Sequence, residues 1–418
     1  MHDKTPSGRH LALRVLAPFA GGYFLSYLYR TVNAVLAPHI AAEIALDAAA
    51  LGVMTGMYLL AFGSMQLPLG ILLDRFGPRR VEAALLVFAA AGAALFAMAE
   101  GTATLIVGRA LVGFGVAACL MAAIKANVQW YPPRRLALVN GIILFCGGLG
   151  AAAATQPVQM AVGVMGWRGI FWLLAALTLL AAGILFLLVP DRPGSVPAGS
   201  LGAQIREVPA ICIDPAFLRV MPVAAIGLGT FMAIQGLWAG PWLQDVAGLG
   251  VDGVGRTLLV MAFGMAAGYL SWGALTAALG RWRVPPLAMA SLGMICFWFC
   301  LALMALGYRA TPLLWAFCFG FAGSSASLFY VVVAQMVPPE RAGRASTTLN
   351  LLIFAWAFVA QWGLGAIIGQ WPRQANGGWP ASAYGMALAV PVVLMALALA
   401  WMAPRLLREI RLALQGEA

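Results

Sequence analysis

The chain has 418 residues, 63% of them hydrophobic and 9% charged, with a mean hydropathy of +0.91. Soluble domains carry about 25% charged and about 45–50% apolar residues, so a water-soluble globule of this size is excluded. The net charge of +11, from 25 basic and 14 acidic residues, would suggest nucleic acid in a soluble chain; in a membrane protein it reflects Lys and Arg gathered in cytoplasmic loops, and no nucleic-acid partner is expected.

A hydrocarbon core about 30 Å thick needs about 20 apolar residues per helix. In chain order that rule predicts spans at 14–38, 50–73, 80–100, 103–127, 136–162 and 168–190, then at 217–243, 254–279, 285–307, 311–337, 344–370 and 381–404. The polar leader through His10 enters an apolar stretch too long for a signal-peptide core, so it reads as an uncleaved first span. Between the two sets of six lies one long polar stretch with Pro193, Gly194, Pro197 and Gly199 at its start. The expectation is an all-α membrane protein of twelve transmembrane helices in two pseudo-symmetric six-helix bundles: 1–190, a cytoplasmic linker 191–215, and 216–418. The halves repeat each other. Arg14-Val15 recurs as Arg219-Val220, Gly70 as Gly273, and Pro132-Pro133-x-Arg135 as Pro338-Pro339-x-Arg341, at offsets of 205, 203 and 206. Parallel repeats of this kind place a substrate site between the halves, near the midplane.

Placing both termini in the cytoplasm puts 18 of the 25 basic residues on that side, four outside (Arg168, Arg256, Arg309, Arg373) and three within spans (Arg30, Arg109, Lys125). The six cysteines lie mostly in apolar runs without CxxC pairs or nearby histidines, which reads as buried packing; no metal site and no cofactor are expected. No phosphate-binding loop or nucleophile–base pair is present, which excludes a primary pump or an enzyme.

Arg30 is the most informative residue. A central intramembrane arginine costs about 2.5–3.5 kcal/mol on insertion scales, so it usually serves a pathway or a partner. Tyr23, Ser26, Tyr27 and Asn33 share its helical face, a polar stripe in an otherwise apolar span. In span 7, Gln235 and Trp238 share a face, with Gly240-Pro241 weakening the helix beyond them. Tyr330 in span 10 and the amides Asn350 and Gln361 in span 11 are further candidates for contact with substrate. Lys125 falls near the cytoplasmic mouth, where it either attracts anions or snorkels to the interface. No Asp or Glu falls in the middle of a predicted span, so no buried proton carrier is expected.

Gly70-Ile71-Leu72-Leu73-Asp74-Arg75-Phe76-Gly77-Pro78-Arg79-Arg80 resembles the loop 2–3 motif of the major facilitator superfamily, with Pro78 in place of one basic residue. Arg109-Ala110-Leu111-Val112-Gly113-Phe114-Gly115 is similar to that superfamily's fourth-helix motif, and Gly166-Trp167-Arg168 and Pro190-Asp191-x-Pro193 also fit. The resemblance covers the whole chain and implies its fold. It also implies that Asp74, with Arg75, Arg79 and Arg80, latches the halves on the cytoplasmic side against the start of helix 11, and that Arg109 acts in proton coupling or gating. Ala277 stands where a second such Asp would lie, so the latch is expected to be one-sided. Arg30 to Pro38 resembles the first helix of organophosphate–phosphate antiporters, where the arginine meets the substrate. The second arginine of that branch maps onto Gln235, which favours a monoanion such as a carboxylate. The helix 5 motif of drug–proton antiporters is missing.

The expected function is therefore secondary transport of a small organic anion across the inner membrane by alternating access. Protons or a counter-anion are the expected coupling partners, the lipid bilayer the surroundings and a monomer the working form. The alternatives are a drug or metabolite efflux antiporter and a transporter-like sensor. The 18-to-4 division of basic residues predicts that a cysteine near Glu100 labels from outside intact cells and one near Arg80 does not. The reverse pattern would overturn the orientation.

Overall fold

The computed structural model describes residues 12–190, 209, 211–337, 339–375 and 377–415. Twelve helices fill the places that hydropathy predicts. They are α1 (Ala17–Thr31 and Asn33–Ile44, led by a π turn Ala12–Leu16), α2 (Ala48–Phe76), α3 (Pro78–Ala97), α4 (Thr102–Val116 and Cys119–Trp130) and α5 (Pro133–Ala153). A continuous stretch Gln156–Leu188 turns sharply at Gly166, which divides the end of α5 from α6. The second half holds α7 (Pro215–Asp245), α8 (Val251–Gly280), α9 (Pro286–Ala305), α10 (Pro312–Gln335), α11 (Pro339–Ile368) and α12 (Ala381–Gln415). Ten helices among the described residues are long and apolar enough to cross a membrane by themselves. The other two places belong to α1, which is split in two, and to α5. The linker expected at 191–215 lies almost wholly outside the described residues.

The ends are fixed by local chemistry. Proline opens α3, α5, α7, α9 and α10, where its missing N–H costs nothing. Asp47 caps α2 by accepting from the Ala50 N–H at 2.6 Å, and Asp214 caps α7 by accepting from Ala216 and Phe217. Gly77 (φ +80°) and Gly166 (φ +65°) make the turns between α2 and α3 and before α6, in backbone conformations that favour glycine. α12 runs about eleven residues past its predicted end, because the extension is amphipathic: Arg405 pairs with Glu409 one turn on.

Four helices are interrupted at mid-length, and they are the first and fourth of each half. α1 breaks at Val32, α4 at Ala117-Ala118, α7 widens into a π turn over Ile234–Trp238, and α10 tightens into a 3-10 turn over Ser324–Ser327. Irregular backbone in a membrane protein is tolerated where protein or a cavity surrounds it. In α10 the serine hydroxyls turn back onto their own backbone, Ser324 to Phe321 and Ser325 to Ala322, both at 2.7 Å.

The halves meet through α1 against α7, α2 against α11 and α5 against α8. Glycine permits the approach. A Cβ at Gly240 would collide with the Ala34 carbonyl, one at Gly365 with the Ala48 carbonyl, and one at Gly52 would lie 2.7 Å from the Gln361 carbonyl. The α2–α11 seam continues to Gly63 and Phe354 near mid-length, whereas methyls at Gly70 or Gly273 would meet nothing within 4 Å. The seal therefore lies towards the end of the bundle remote from both termini, here called the far end. Arg373, between α11 and α12, adds a strap there: its guanidinium donates to the Leu46 carbonyl of the other half at 2.5 Å. Asp245 at the end of α7 braces the same loop, accepting from the Trp379 N–H at 3.0 Å and the Tyr384 hydroxyl at 2.7 Å.

A side chain at Gly240 forbids this closure. Gly240→Val is expected to shift the protein towards a state open at the far end, raising the labelling rate of a cysteine placed in that seam, while Gly70→Ala leaves labelling unchanged. Equal labelling in Gly240→Val and the parent would show that the seam is not what holds the far end shut.

Candidate substrate site

Arg30 projects from the last turn of the first piece of α1, just before the break at Val32. Its side chain is 8% exposed and is enclosed by rings from both halves: Tyr27 at 4.7 Å, Phe62 at 5.0 Å and Phe354 at 5.6 Å from the guanidinium carbon. Phe62 and Phe354 stack on each other across the seam at 4.5 Å, so the arginine lies at the inner limit of the seal. Among the described residues Arg30 makes no ion pair, and its Nε has no hydrogen-bond partner. Aromatic faces attract a desolvated cation by about 2 kcal/mol or more each, but they carry no formal counter-charge, so the guanidinium stays open to an anion.

Hydroxyls surround the same point. Tyr27 faces Tyr269 of α8 across the halves, oxygen to oxygen at 3.5 Å, and Tyr23 packs edge-on against Tyr27 at 5.2 Å. Tyr58 of α2 stands beside the guanidinium and donates to the Ser26 carbonyl at 3.2 Å. Tyr330 donates to the Asn350 amide oxygen at 2.5 Å. A second cation lies behind this shell. Arg109, fully buried, donates to the Tyr29 carbonyl at 3.1 Å and lies 5.0 Å over the Tyr58 ring. Tyr58 thus separates two arginines, neither of which has a carboxylate among the described residues.

The other expected site residues divide into two groups. Gln235, in the π turn of α7, lines a small notch of about 10 Å³ with Thr31, Thr155 and Met261, and its amide donates to the Met265 sulfur at 3.2 Å. A Cβ at its neighbour Gly236 would lie 3.3 Å from the Arg30 carbonyl, so Gln235 is placed close to the α1 break. Asn33, Trp238 and Gln361 instead belong to the sealed far side. Asn33 donates to Thr55 at 3.0 Å, tying α1 to α2, and Trp238 donates to the Gln361 carbonyl at 3.0 Å. The Gln361 side-chain amide is fully buried with neither of its polar atoms partnered.

At the terminal end, Lys125 pairs with Asp74 within the same half, so the Asp74 carboxylate is held by α4. Arg75 lies over Phe76 at 5.2 Å and Arg79 over Phe186 at 5.0 Å, while Arg80 lines a groove with Phe186. Tyr58, Phe62, Tyr269 and Phe354 were not anticipated from the sequence. The available signal was tyrosine in the middle of α2 and α8, away from the interfacial belts where it is usually enriched. A further surprise is Glu82, near the start of the span expected at 80–100, whose side chain is fully buried.

Residues 19–361 match the family model of the Major Facilitator Superfamily, and the chain belongs to that superfamily: it is a multi-pass membrane transporter and not an enzyme. It is 29% identical over 196 residues to the probable sulfoacetate transporter SauU of Cupriavidus necator, covering 46% of this chain and 45% of that one. To the probable L-galactonate transporter of Escherichia coli it is 26% identical over 336 residues, covering 74% of each. The hexuronate transporter of Bacillus subtilis matches at 25% over 187 residues, 45% of this chain and 42% of the relative. The matched stretch thus spans less than half of the sulfoacetate and hexuronate transporters. Among solved structures, a bacterial homologue of the human lysosomal transporter Spinster, inward-facing and unoccupied, superposes with a TM-score of 0.76 at 20% identity over 96% of this chain and 98% of that one. The nucleoside transporter NupG gives 0.74 at 15% identity, over 92% and 98%.

The Asp74–Lys125 pair belongs to the state described, and partly exposed pairs contribute about 1 kcal/mol or less. Lys125→Gln is accordingly expected to shift the balance of states by up to about fivefold, read as a change in the spin-label distance between the terminal ends of α2 and α11. An unchanged distance distribution in both Lys125→Gln and Asp74→Asn would exclude a gating role for this pair.

Proposed function

We propose that this protein imports a small organic anion of the carboxylate type across the inner membrane by alternating access, coupled to protons or by exchange. The observation that carries the reading is Arg30: a buried guanidinium at the boundary between the sealed and unsealed parts of the seam, ringed by hydroxyls and aromatic faces and lacking a carboxylate among the described residues. Such a site offers charge, two parallel N–H donors and hydroxyl donors, a set suited to a carboxylate or sulfonate bearing further hydroxyl or anionic groups. The named substrates of the relatives, sulfoacetate, L-galactonate and hexuronates, are all anions of this kind.

In this reading both termini are cytoplasmic, the far end is the periplasmic side, and the state described is closed outside and ready to open inwards. Tyr27, Tyr58, Tyr269 and Tyr330 complete the anion shell, and Gln235 supplies a neutral donor from the second half. Arg109 raises the local positive potential without touching the substrate. Trp238, Asn33 and Gln361 serve the closed gate, and Asp74, Arg75, Arg79, Arg80 and Lys125 the inner one. The two six-helix units on either side of the 191–215 linker move as the two rocking bodies of a monomer.

Counterflow in proteoliposomes tests this: liposomes loaded with sulfoacetate, L-galactonate or a hexuronate should take up the labelled anion. Losing a charge-assisted bidentate partner costs about 1.5–3 kcal/mol, so Arg30→Ala should lower affinity about 10- to 150-fold, with Arg30→Lys recovering part of it. Gln235→Arg should move preference towards phosphorylated anions. An Arg30→Ala protein that is well folded and binds the transported anion as tightly as the parent would overturn the anchor.

A further inference from the structure

We infer that Glu82 is a proton-carrying group, binding and releasing one proton in each transport cycle through its burial between α1, α3 and α4. The inference rests on the transport reading above and chooses proton coupling over simple exchange.

Glu82 lies one turn into α3 and is 0% exposed. Both carboxyl oxygens are buried without a hydrogen-bond partner among the described residues, and no ion pair there includes them. The space is provided by α1: a Cβ at Gly22 would collide with the Glu82 Oε1 and lie 3.9 Å from the Cys119 sulfur. The glycine therefore serves a carboxyl group pointed at the backbone of the very helix that carries Arg30, about 12 Å further along at 1.5 Å per residue.

Among the described residues no cation pairs with Glu82. Cys119 of α4, the first residue after that helix's interruption, is its polar neighbour. On α3 itself Arg79 lies over Phe186 of α6, and Arg80 lines the groove beside the same ring. On α4 Lys125 is taken by Asp74 of α2, and Arg109 is committed to the Tyr29 carbonyl and the Tyr58 ring. Arg30 of α1 is turned to Tyr27, Phe62 and Phe354, and Arg168 of α6 to Glu43. An unpaired carboxylate enclosed in apolar surroundings is strongly disfavoured, so a bound proton is what makes this berth compatible with closure. Ionisation then requires water or a cation to reach it. Water arrives if the part of α1 before its break at Val32 shifts within the first unit, away from α3 and α4, as the halves rock, because Gly22 is the wall of the berth. On the terminal side the Glu82 O–H bond breaks and its proton passes to water; the solvated carboxylate keeps the berth open while the halves rock, and water on the far side then supplies the proton with which the berth closes. Anchoring of an anion on Arg30 and protonation of Glu82 are thereby coupled through the position of one helix.

Two measurements test this. Infrared spectra of the substrate-free protein in liposomes at neutral pH should contain the carbonyl stretch of a buried carboxylic acid that is missing from Glu82→Gln; its absence from the parent would overturn the inference. In transport, an inside-alkaline pH gradient should drive accumulation of sulfoacetate, L-galactonate or a hexuronate by the parent. Glu82→Gln, an isosteric change expected to keep the melting temperature, should retain counterflow and lose at least tenfold of the response to the gradient. An equal response in Glu82→Gln, or a parent indifferent to the gradient, would overturn it. If the parent carries none of these anions, the substrate reading fails. The proton site is then decided by comparing the parent with Gly240→Val: the carboxylic acid band should weaken when the far end opens, and an identical band would overturn the inference.

Discussion

The organisation of this membrane protein depends on how it holds a positive charge in a place that water does not reach. Among the described residues Arg30 is enclosed by Tyr27, Phe62 and Phe354 instead of by a carboxylate. An internal salt bridge would satisfy the guanidinium permanently and leave nothing for a ligand to do. Ring faces are a weaker compensation, enough to let the helix insert and too little to end the demand for an anion. Because Phe354 comes from the second half and stacks on Phe62 of the first, the same rings that quiet the charge also close the seam. In the proposed reading, an anion reaching Arg30 would act on the closure of the halves as well as on the arginine.

The interruptions of α1, α4, α7 and α10 serve that arrangement. Regular helices would present their side chains at fixed 100° steps. The break at Val32 lets Arg30 and the far-side packing of Asn33 belong to differently directed segments, and the π turn over Ile234–Trp238 sets Gln235 beside the arginine's backbone. Beyond the breaks of α1 and α7 the packing becomes backbone-close, with Gly240 on Ala34, and the unbroken α2 and α11 do the same at Ala48 and Gly365. Van der Waals contact and small residues have to provide this, since lipid offers no hydrophobic drive for helices to associate.

Much of this was legible in the sequence. The twelve spans, the duplication and the superfamily rest on apolar run lengths and on the Gly70–Arg80 motif, features that tertiary context scarcely alters. The polar stripe of α1 correctly brought Arg30 and Tyr27 together, because 3.6-residue periodicity is a local property. Partner choice was not local. That Asp74 meets Lys125, that Trp238 bonds the Gln361 carbonyl, and that Arg109 approaches Tyr58 depend on which helices pack and how they are rotated. Glu82 escaped notice because three residues after Arg79 a carboxylate looks like part of a solvated helix end. Only the glycine at position 22, sixty residues earlier, turns it into an interior group.

The strap at the far end has a consequence of a different kind. Arg373 donates to a backbone carbonyl, that of Leu46, whereas the terminal end relies on the ion pair of Lys125 with Asp74. Mobile ions weaken the attraction of two opposite charges over about 10 Å at 0.1 M, but they act far less on a charge meeting a neutral acceptor. The two mouths of the transporter thus differ in their response to the medium. Rising ionic strength weakens the bracing of α2 by α4 inside the first half at the terminal end, and leaves the strap that crosses between the halves at the far end nearly as firm.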